Sequence, residues 1–314
     1  MKKVLITGGS GTVGSGFIQE YADQYQFISL SRNLEKQAVL KRKFPQVQLV
    51  NASIEDSQGL TKVFREIKPD IVIHAAALKH IEAAEKNPMS AIQVNIMGSL
   101  NVIQASKSAD AEVTVGISSD KACIRNSVYG QTKYLMERMF LESSTEKSKF
   151  ICCRLGNVAG STGSVIPIWI NQAKKNQPLQ LTDKRMNRFM SPLREIAQLI
   201  QKSIITASKE NTGFIILKKM KAINLYRLAK IISPEIALIG KRAGEKLNEI
   251  LVNQDELPFT YQHSDVVLIK STLNPDENNR MKIELNSEFS EKMELNEIEQ
   301  LLSEAKEQCY ECIT

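Results

Sequence analysis

The segment Gly8-Gly9-Ser10-Gly11-Thr12-Val13-Gly14 constrains this chain more than any other feature. It follows the apolar run Val4–Thr7 and opens a stretch, Gly14–Tyr25, that reads as a helix. Glycines at this spacing between a strand and a helix allow a tight turn, let the backbone approach a pyrophosphate, and bring helix against sheet. The helix N-terminus then offers unpaired N–H groups to the phosphates. The pattern continues downstream. Strand-like runs Gln26–Leu30, Val47–Asn51, Ile71–Ala75, Thr114–Ile117 and Phe150–Leu155 are separated by helical stretches Leu34–Lys43, Ser57–Ile67, Ser90–Ser108 and Tyr129–Leu141. Continuously apolar strands alternating with helices predict a doubly wound parallel sheet covered on both faces.

After Asn157 the alternation gives way to a Gly/Ser-rich loop, Pro167 and shorter elements, with helices expected at Pro192–Thr206 and Leu225–Ile232, a strand at Gly213–Lys218, and a polar tail helix from Glu288 to Glu307. The expected organisation is a dinucleotide-binding domain over residues 1–165, with return elements near 192–220, and a smaller substrate-binding region over 166–314. No internal repeat or low-complexity linker separates the two. A cleft between them is the expected site.

The formal net charge of +6 raises the question of an anionic partner. The basic residues are scattered, with few aromatic side chains among them, so they predict a solvated surface and no nucleic-acid partner. No apolar run approaches the ~20 residues that span a bilayer, and the apolar stretch after Lys2-Lys3 ends at a Thr-Gly-Gly turn, which argues against a signal peptide. Five cysteines, an odd number, fit a reducing cytoplasm. Cys152 and Cys153 read as small core residues, and Cys309-x-x-Cys312 has metal spacing but no second pair, so no metal is expected. His74 and His80 read as structural.

Two further segments carry chemistry. Ile117-Ser118-Ser119-Asp120-Lys121 ends a strand, and Tyr129-Gly130-Gln131-Thr132-Lys133 begins a helix shortly afterwards. Residues four apart share a helical face. A phenol with an ordinary pKa of ~10 becomes a useful base only when nearby positive charge favours its anion. Lys133 and an oxidised nicotinamide would supply that charge, letting Tyr129 accept a hydroxyl proton as hydride leaves the same carbon. Leu30-Ser31-Arg32 stands where an NAD site places an acidic residue on the ribose. Arg32 suits a 2′-phosphate instead, which predicts NADP.

Together these segments resemble the extended short-chain dehydrogenase/reductases, and within them the inverting, 5-epimerising UDP-N-acetylglucosamine 4,6-dehydratases. The resemblance runs from Val4 to about Leu251. It also rests on Ala75-Ala76-Ala77-Leu78-Lys79-His80, Asn87-Pro88, Asn95-Ile96-Met97-Gly98, the Arg154-x-Gly156-Asn157-Val158 segment through Pro167, Met186-x-Arg188-Phe189 and Gly244-Glu245-Lys246.

It implies a redox-neutral reaction. Tyr129 takes the C4 hydroxyl proton as hydride passes to NADP, with Ser119 on the C4 oxygen. Lys121 removes the C5 hydrogen while Asp120 protonates the departing C6 hydroxyl, and hydride returns to C6 with inversion at C5. A lysine base implies a crowded, partly desolvated cationic site. On the cofactor the resemblance implies Gly8, Ser10, Gly11, Thr12, Val13, Gly14, Ser31, Arg32, Asn33, Lys36, Ser53, Ile54, Ala75, Ala76, Lys79, Ile117, Ser118, Tyr129, Lys133 and Val158. On the UDP-sugar it implies Lys79, Asn157, Ile166, Thr182, Arg188, Arg242 and Glu245, the arginines suiting a diphosphate. A homo-oligomer is implied by the same analogy. Ser53, Arg125, Ser127, Leu155, Thr162, Ala243 and Asn248 replace the Asp, Pro, Asn, Tyr, Arg, Pro and His usual in the family. The alternatives are a UDP-sugar 4-epimerase, a retaining dehydratase in which an Asp-Glu pair tends to replace Asp120-Lys121, and an NADP-sensing regulator, which would usually lack the Tyr–Lys pair.

Overall fold

Val4, Leu5 and Ile6 are wholly buried, because their strand lies in the middle of a sheet with helices on both sides. The computed structural model describes residues 1–241, 244–270 and 279–311, with side chains described to residue 308. Arg242, Ala243, Cys312 and the side chain of Cys309 lie outside that set.

Six strands follow in sequence: β1 (Lys3–Thr7), β2 (Gln26–Leu30), β3 (Gln48–Val50), β4 (Ile71–His74), β5 (Val113–Ser119) and β6 (Lys149–Leu155). They pair in parallel in the order β3-β2-β1-β4-β5-β6, and strand Phe214–Lys218 extends the parallel set beyond β6. Two antiparallel strands, Val266–Lys270 and Thr260–His263, complete a nine-stranded sheet. The reversal of strand order between β1 and β4 opens a crevice at their C-terminal ends, where ligands of such sheets bind.

Helices Thr12–Tyr21 and Leu193–Ala207 cover one face, together with Phe17, Ile18, Ile196 and Ile200. Helices Ser57–Ile67 and Gly98–Ser108 cover the other, through Leu60, Phe64 and Val102. Each such side chain contributes ~1.5–3 kcal/mol on full burial. The segment read as one helix over Ser90–Ser108 starts at Pro88 and contains a π-helical stretch, Ile92–Met97, before continuing as an α-helix from Gly98.

The loop expected after Asn157 holds a helix at Val165–Lys174, with Pro167 in its first turn, where a missing N–H costs nothing. The tail helix, Leu295–Glu311, lays Ile298, Leu301, Leu302 and Ala305 into the cluster built by Trp169, Leu179 and Leu228. A small sheet of Ala222–Asn224, Asn187–Ser191 and Asn157–Val158 continues directly from β6 and brings Asn157 level with Met190. Among the described residues no helix is long and apolar enough to cross a membrane.

Candidate active site

The glycine loop is shaped by contacts that only glycine permits. Gly8 has φ +72°, and a Cβ there would stand 2.9 Å from the Ala76 nitrogen. A Cβ on Gly14 would stand 2.6 Å from the Gly9 Cα, so helix and loop meet backbone to backbone. Helix Thr12–Tyr21 starts at Gly11 without a side-chain cap or an acidic residue in its first turn. These features fit a dinucleotide pyrophosphate: a close approach and an uncapped helix N-terminus beside small residues, Ala75 and Ala76. Among the further residues expected on the cofactor, Ser10 Oγ donates to Ser31 Oγ at 3.0 Å, and Asn33 caps the next helix by accepting from the Lys36 amide at 2.8 Å. Arg32 is not free. Its guanidinium pairs with Glu55 at 2.5 Å, and Ser53 Oγ donates to the same Glu55 oxygen at 3.3 Å. Lys79 Nζ donates to the Thr162 carbonyl at 2.7 Å, joining the β4 loop to the segment above the pocket.

The chemistry-bearing side chains gather at the end of β5. Ser119 closes the strand, accepts from the Lys121 amide at 3.3 Å, and donates through Oγ to Asp120 Oδ1 at 2.8 Å. A single 3-10 turn, Asp120–Ala122, follows. Helix Val128–Ser143 then starts at Ser127, whose hydroxyl accepts from the Gly130 amide at 3.1 Å. Ser127, which stands where Asn is usual in the family, is therefore the helix cap. Arg125, in place of the family's Pro, stacks over Tyr134 with its guanidinium 3.9 Å from the ring centre.

Tyr129 is buried, and burial, tempered by the Lys121 charge, pushes its phenol up to about 12. Lys133 is 3% exposed and donates to the Ile117 carbonyl at 2.7 Å; burial brings its ammonium down to about 8. The π-helical stretch turns Asn95 inward, where it accepts from the Leu78 amide at 2.8 Å and donates to the Leu78 carbonyl and to Thr132 Oγ1. Thr132 in turn donates to the Tyr129 carbonyl at 2.8 Å. Asn95 thus fixes the loop and the helix on either side of Tyr129, a role its motif alone did not reveal. His74 bonds Thr7 Oγ1 at 2.8 Å and Ser99 Oγ at 3.0 Å inside the core, and burial with the nearby Lys133 charge brings it down to about 3.

Lys121 has surroundings opposite in sign to those expected. A crowded cationic site was the expectation. Instead, Nζ lies 2.9 Å from Asp120 Oδ1 and 3.6 Å from Glu249 Oε1, and it donates to Asn157 Oδ1 at 3.0 Å. Burial pulls its pKa down, but the two carboxylates outweigh that and leave it above the ordinary lysine value. The second oxygen of Asp120 has no partner among the described residues.

A cavity of about 300 Å³ is lined by Lys121, Asn157, Val158, Ile166, Thr182, Arg188, Glu245 and Glu249 among others. It therefore unites five of the seven residues expected around the sugar nucleotide with the base; Lys79 does not line it and Arg242 lies outside the described residues. Arg188 lines it with most of its guanidinium committed: it donates to the Asn187, Leu247 and Lys246 carbonyls at 2.8, 3.0 and 2.8 Å, and its Nε lies 3.7 Å from Glu249. Glu249 carried no sequence signal of its own beyond its nearness to Gly244-Glu245-Lys246.

A family profile described as polysaccharide biosynthesis protein matches residues 4–271. A Campylobacter jejuni protein named UDP-N-acetylglucosamine 4,6-dehydratase (inverting) is 32% identical over 286 residues, covering 87% of this chain and 84% of that one. A Rickettsia bellii protein named UDP-glucose 4-epimerase is 31% identical over 274 residues, covering 82% and 79%. The solved structure of Pen from Bacillus thuringiensis superposes with a TM-score of 0.86 at 28% identity, over 98% of this chain and 97% of that one. With more than half its length inside the family profile, this chain belongs to the polysaccharide biosynthesis protein family, on the Rossmann-like fold of the extended short-chain dehydrogenase/reductases.

Proposed function

We propose that this chain is an inverting 4,6-dehydratase that converts UDP-N-acetylglucosamine to UDP-2-acetamido-2,6-dideoxy-L-arabino-hexos-4-ulose, an early step towards acetamido 6-deoxy sugars for glycans. The observation that carries the reading is the Asp120–Lys121 ion pair, 2.9 Å long, set on the turn against which the Tyr129 helix packs. An elimination across C5 and C6 needs an acid and a base side by side, and a 4-epimerase needs neither. The 32% identity to the Campylobacter jejuni enzyme supports the same choice.

A nicotinamide cofactor, held by the residues of the Gly8–Gly14 loop, would supply the hydride acceptor and donor that C4 oxidation and C6 reduction require. Tyr129 receives the C4 hydroxyl proton, aided by Ser119 on the same oxygen. Lys133, one turn further along the helix, adds positive charge that favours the phenolate. The C4 ketone acidifies the C5 hydrogen, which Lys121 removes as Asp120 protonates the leaving C6 oxygen. Asn157 holds Lys121 Nζ in place. Thr182, Ile166, Glu245, Arg188 and Arg242 are assigned to the UDP-sugar. The finer choice of NADP over NAD rests on Arg32, which reaches a 2′-phosphate by exchanging its Glu55 partner. A homo-oligomer in the cytoplasm completes the reading.

The test is proton NMR of UDP-N-acetylglucosamine incubated with the protein in heavy water. A new C6 methyl signal with L-arabino geometry is expected. A galacto product, or a C6 methyl with unchanged C5 configuration, would overturn the assignment.

A further inference from the structure

Lys121 cannot begin the reaction as a base while it is an ammonium, and its neighbours hold it as one. Asp120 belongs to its own turn. Glu249 comes from the other side of the cavity, on the segment that carries Gly244-Glu245-Lys246. Arg188 from strand Asn187–Ser191 and Lys246 stand nearby with positive charge, and the Tyr129 phenol faces Lys121 from its helix. Glu249 is firmly seated. Its amide donates to Ser287 Oγ at 2.8 Å, the Ser287 amide donates to its carbonyl at 2.8 Å, and its carboxylate is 6% exposed. One oxygen of that carboxylate serves both Lys121, at 3.6 Å, and Arg188, at 3.7 Å. A buried carboxylate shared by two cations holds both in one arrangement.

We propose that Glu249 is the positioning residue of the base: with Asp120 it clamps Lys121 Nζ from two sides above Asn157 and keeps it protonated until Asp120 takes the proton. This inference rests on the dehydratase reading for its chemistry. The transfer runs along the existing Nζ–H···Oδ1 hydrogen bond of 2.9 Å. The N–H bond breaks and an O–H bond forms on Asp120, leaving a neutral amine beside a carboxylic acid, which are the base and the acid that elimination requires. The amine then takes the C5 proton, the acid gives its proton to the C6 oxygen as water departs, and the original ion pair is restored. No other proton donor or acceptor enters the elimination; the reprotonation of C5 from the opposite face, which goes with hydride return to C6, is a separate step. The Glu249 carboxylate, 3.6 Å from Nζ, opposes premature release of the proton. It also ties the base to Arg188, and through that residue to the carbonyls of Lys246 and Leu247.

The test reads Lys121 directly, without turnover. The purified enzyme is labelled with trace acetic anhydride from neutral to alkaline pH, and acetylation of Lys121 is followed by mass spectrometry against surface lysines in the same digest. Wild-type Lys121 is expected to titrate above the surface lysines. Glu249→Gln is expected to lower its midpoint by about one pH unit or more, the order of effect of one close charge, whereas Glu249→Asp stays near wild type. The acidic limb of kcat/KM should move in the same direction in Glu249→Gln alone. Coincident wild-type and Glu249→Gln labelling curves would overturn the proposal. So would a wild-type midpoint below the surface lysines, which decides the matter even if the variant does not fold. An enzyme that fails to dehydrate UDP-N-acetylglucosamine yet shows the expected labelling would sink the dehydratase reading and leave the clamp standing.

Discussion

Gly130 lies directly against the carbonyl of Lys121: a Cβ at that position would stand 2.4 Å from the oxygen. The two backbones touch because the Tyr129 helix begins at Val128, a short loop after the Asp120–Ala122 turn, and packs back against that turn. The glycine thus sets the distance between the phenol and the acid–base pair. Gly130→Ala is expected to fold, since the displaced turn is short, and to lose activity by ~10²-fold, the usual cost of displacing reacting groups by about an ångström. Turnover at the wild-type rate, measured by NMR on a variant with unchanged circular dichroism, would refute this.

Lys133 is a buried cation whose pKa falls to about 8 on folding from an ordinary 10.5, with burial as the main cause. Between those values the unfolded chain keeps its proton while the folded chain gives it up, so folding stability rises with pH across that window. The expected slope is at most ~1.4 kcal/mol per pH unit. Urea denaturation of cofactor-free wild type and Lys133→Met at neutral and alkaline pH checks this. The wild type should gain on the variant as pH rises from 8 towards 10, and parallel behaviour would refute the assignment.

Arg154 is fully buried and forms two hydrogen bonds to each of two carboxylates, Glu137 at 2.9 and 2.8 Å and Glu256 at 2.9 and 2.7 Å. Arg154→Met leaves both carboxylates without their cation. A loss of ~3–5 kcal/mol is expected, as for other broken buried pairs, read as a lower urea midpoint at unchanged slope. A triple variant that also replaces Glu137 and Glu256 with apolar residues should recover part of it. A single variant as stable as wild type would show that the cluster contributes nothing.

Arg32 pairs with Glu55 on a mostly exposed side chain, so its removal should matter little to stability. Arg32→Ala is expected to weaken NADPH binding by about tenfold, the order of one charge-assisted contact, with NADH binding little changed. Nicotinamide fluorescence titration gives both constants. Equal losses for the two cofactors would remove the basis for preferring NADP.

The sheet was legible in the sequence because strands buried on both faces are written as unbroken apolar runs, and the glycine loop because its turn excludes other residues. Ser119, Asp120, Lys121, Tyr129 and Lys133 fall where their local spacing placed them, on one strand end and one helix start. What local pattern could not carry is the environment that distant segments supply. Glu249 reverses the charge around Lys121, Glu55 occupies Arg32, and Asn95 acts only because its helix widens by a π turn. Helix Val165–Lys174 was hidden by Pro167 and the glycines before it, and the paired strands Thr260–His263 and Val266–Lys270 by the polar residues around them.

The Arg154 cluster also orders events during synthesis. Strand β6 and helix Val128–Ser143 leave the ribosome together, with Arg154 and Glu137 as a pair, but Glu256 follows only after about a hundred more residues. Strand Phe214–Lys218, which pairs with β6, arrives in the same interval, and Val266–Lys270, which pairs with that strand in turn, only after Glu256. A nascent chain halted before residue 256 therefore carries an unfinished sheet edge and an arginine short of one carboxylate, and such chains should be protease-sensitive until that residue emerges. The first half of the protein, although it holds the whole glycine loop and the catalytic helix, matures only when the second half has been made.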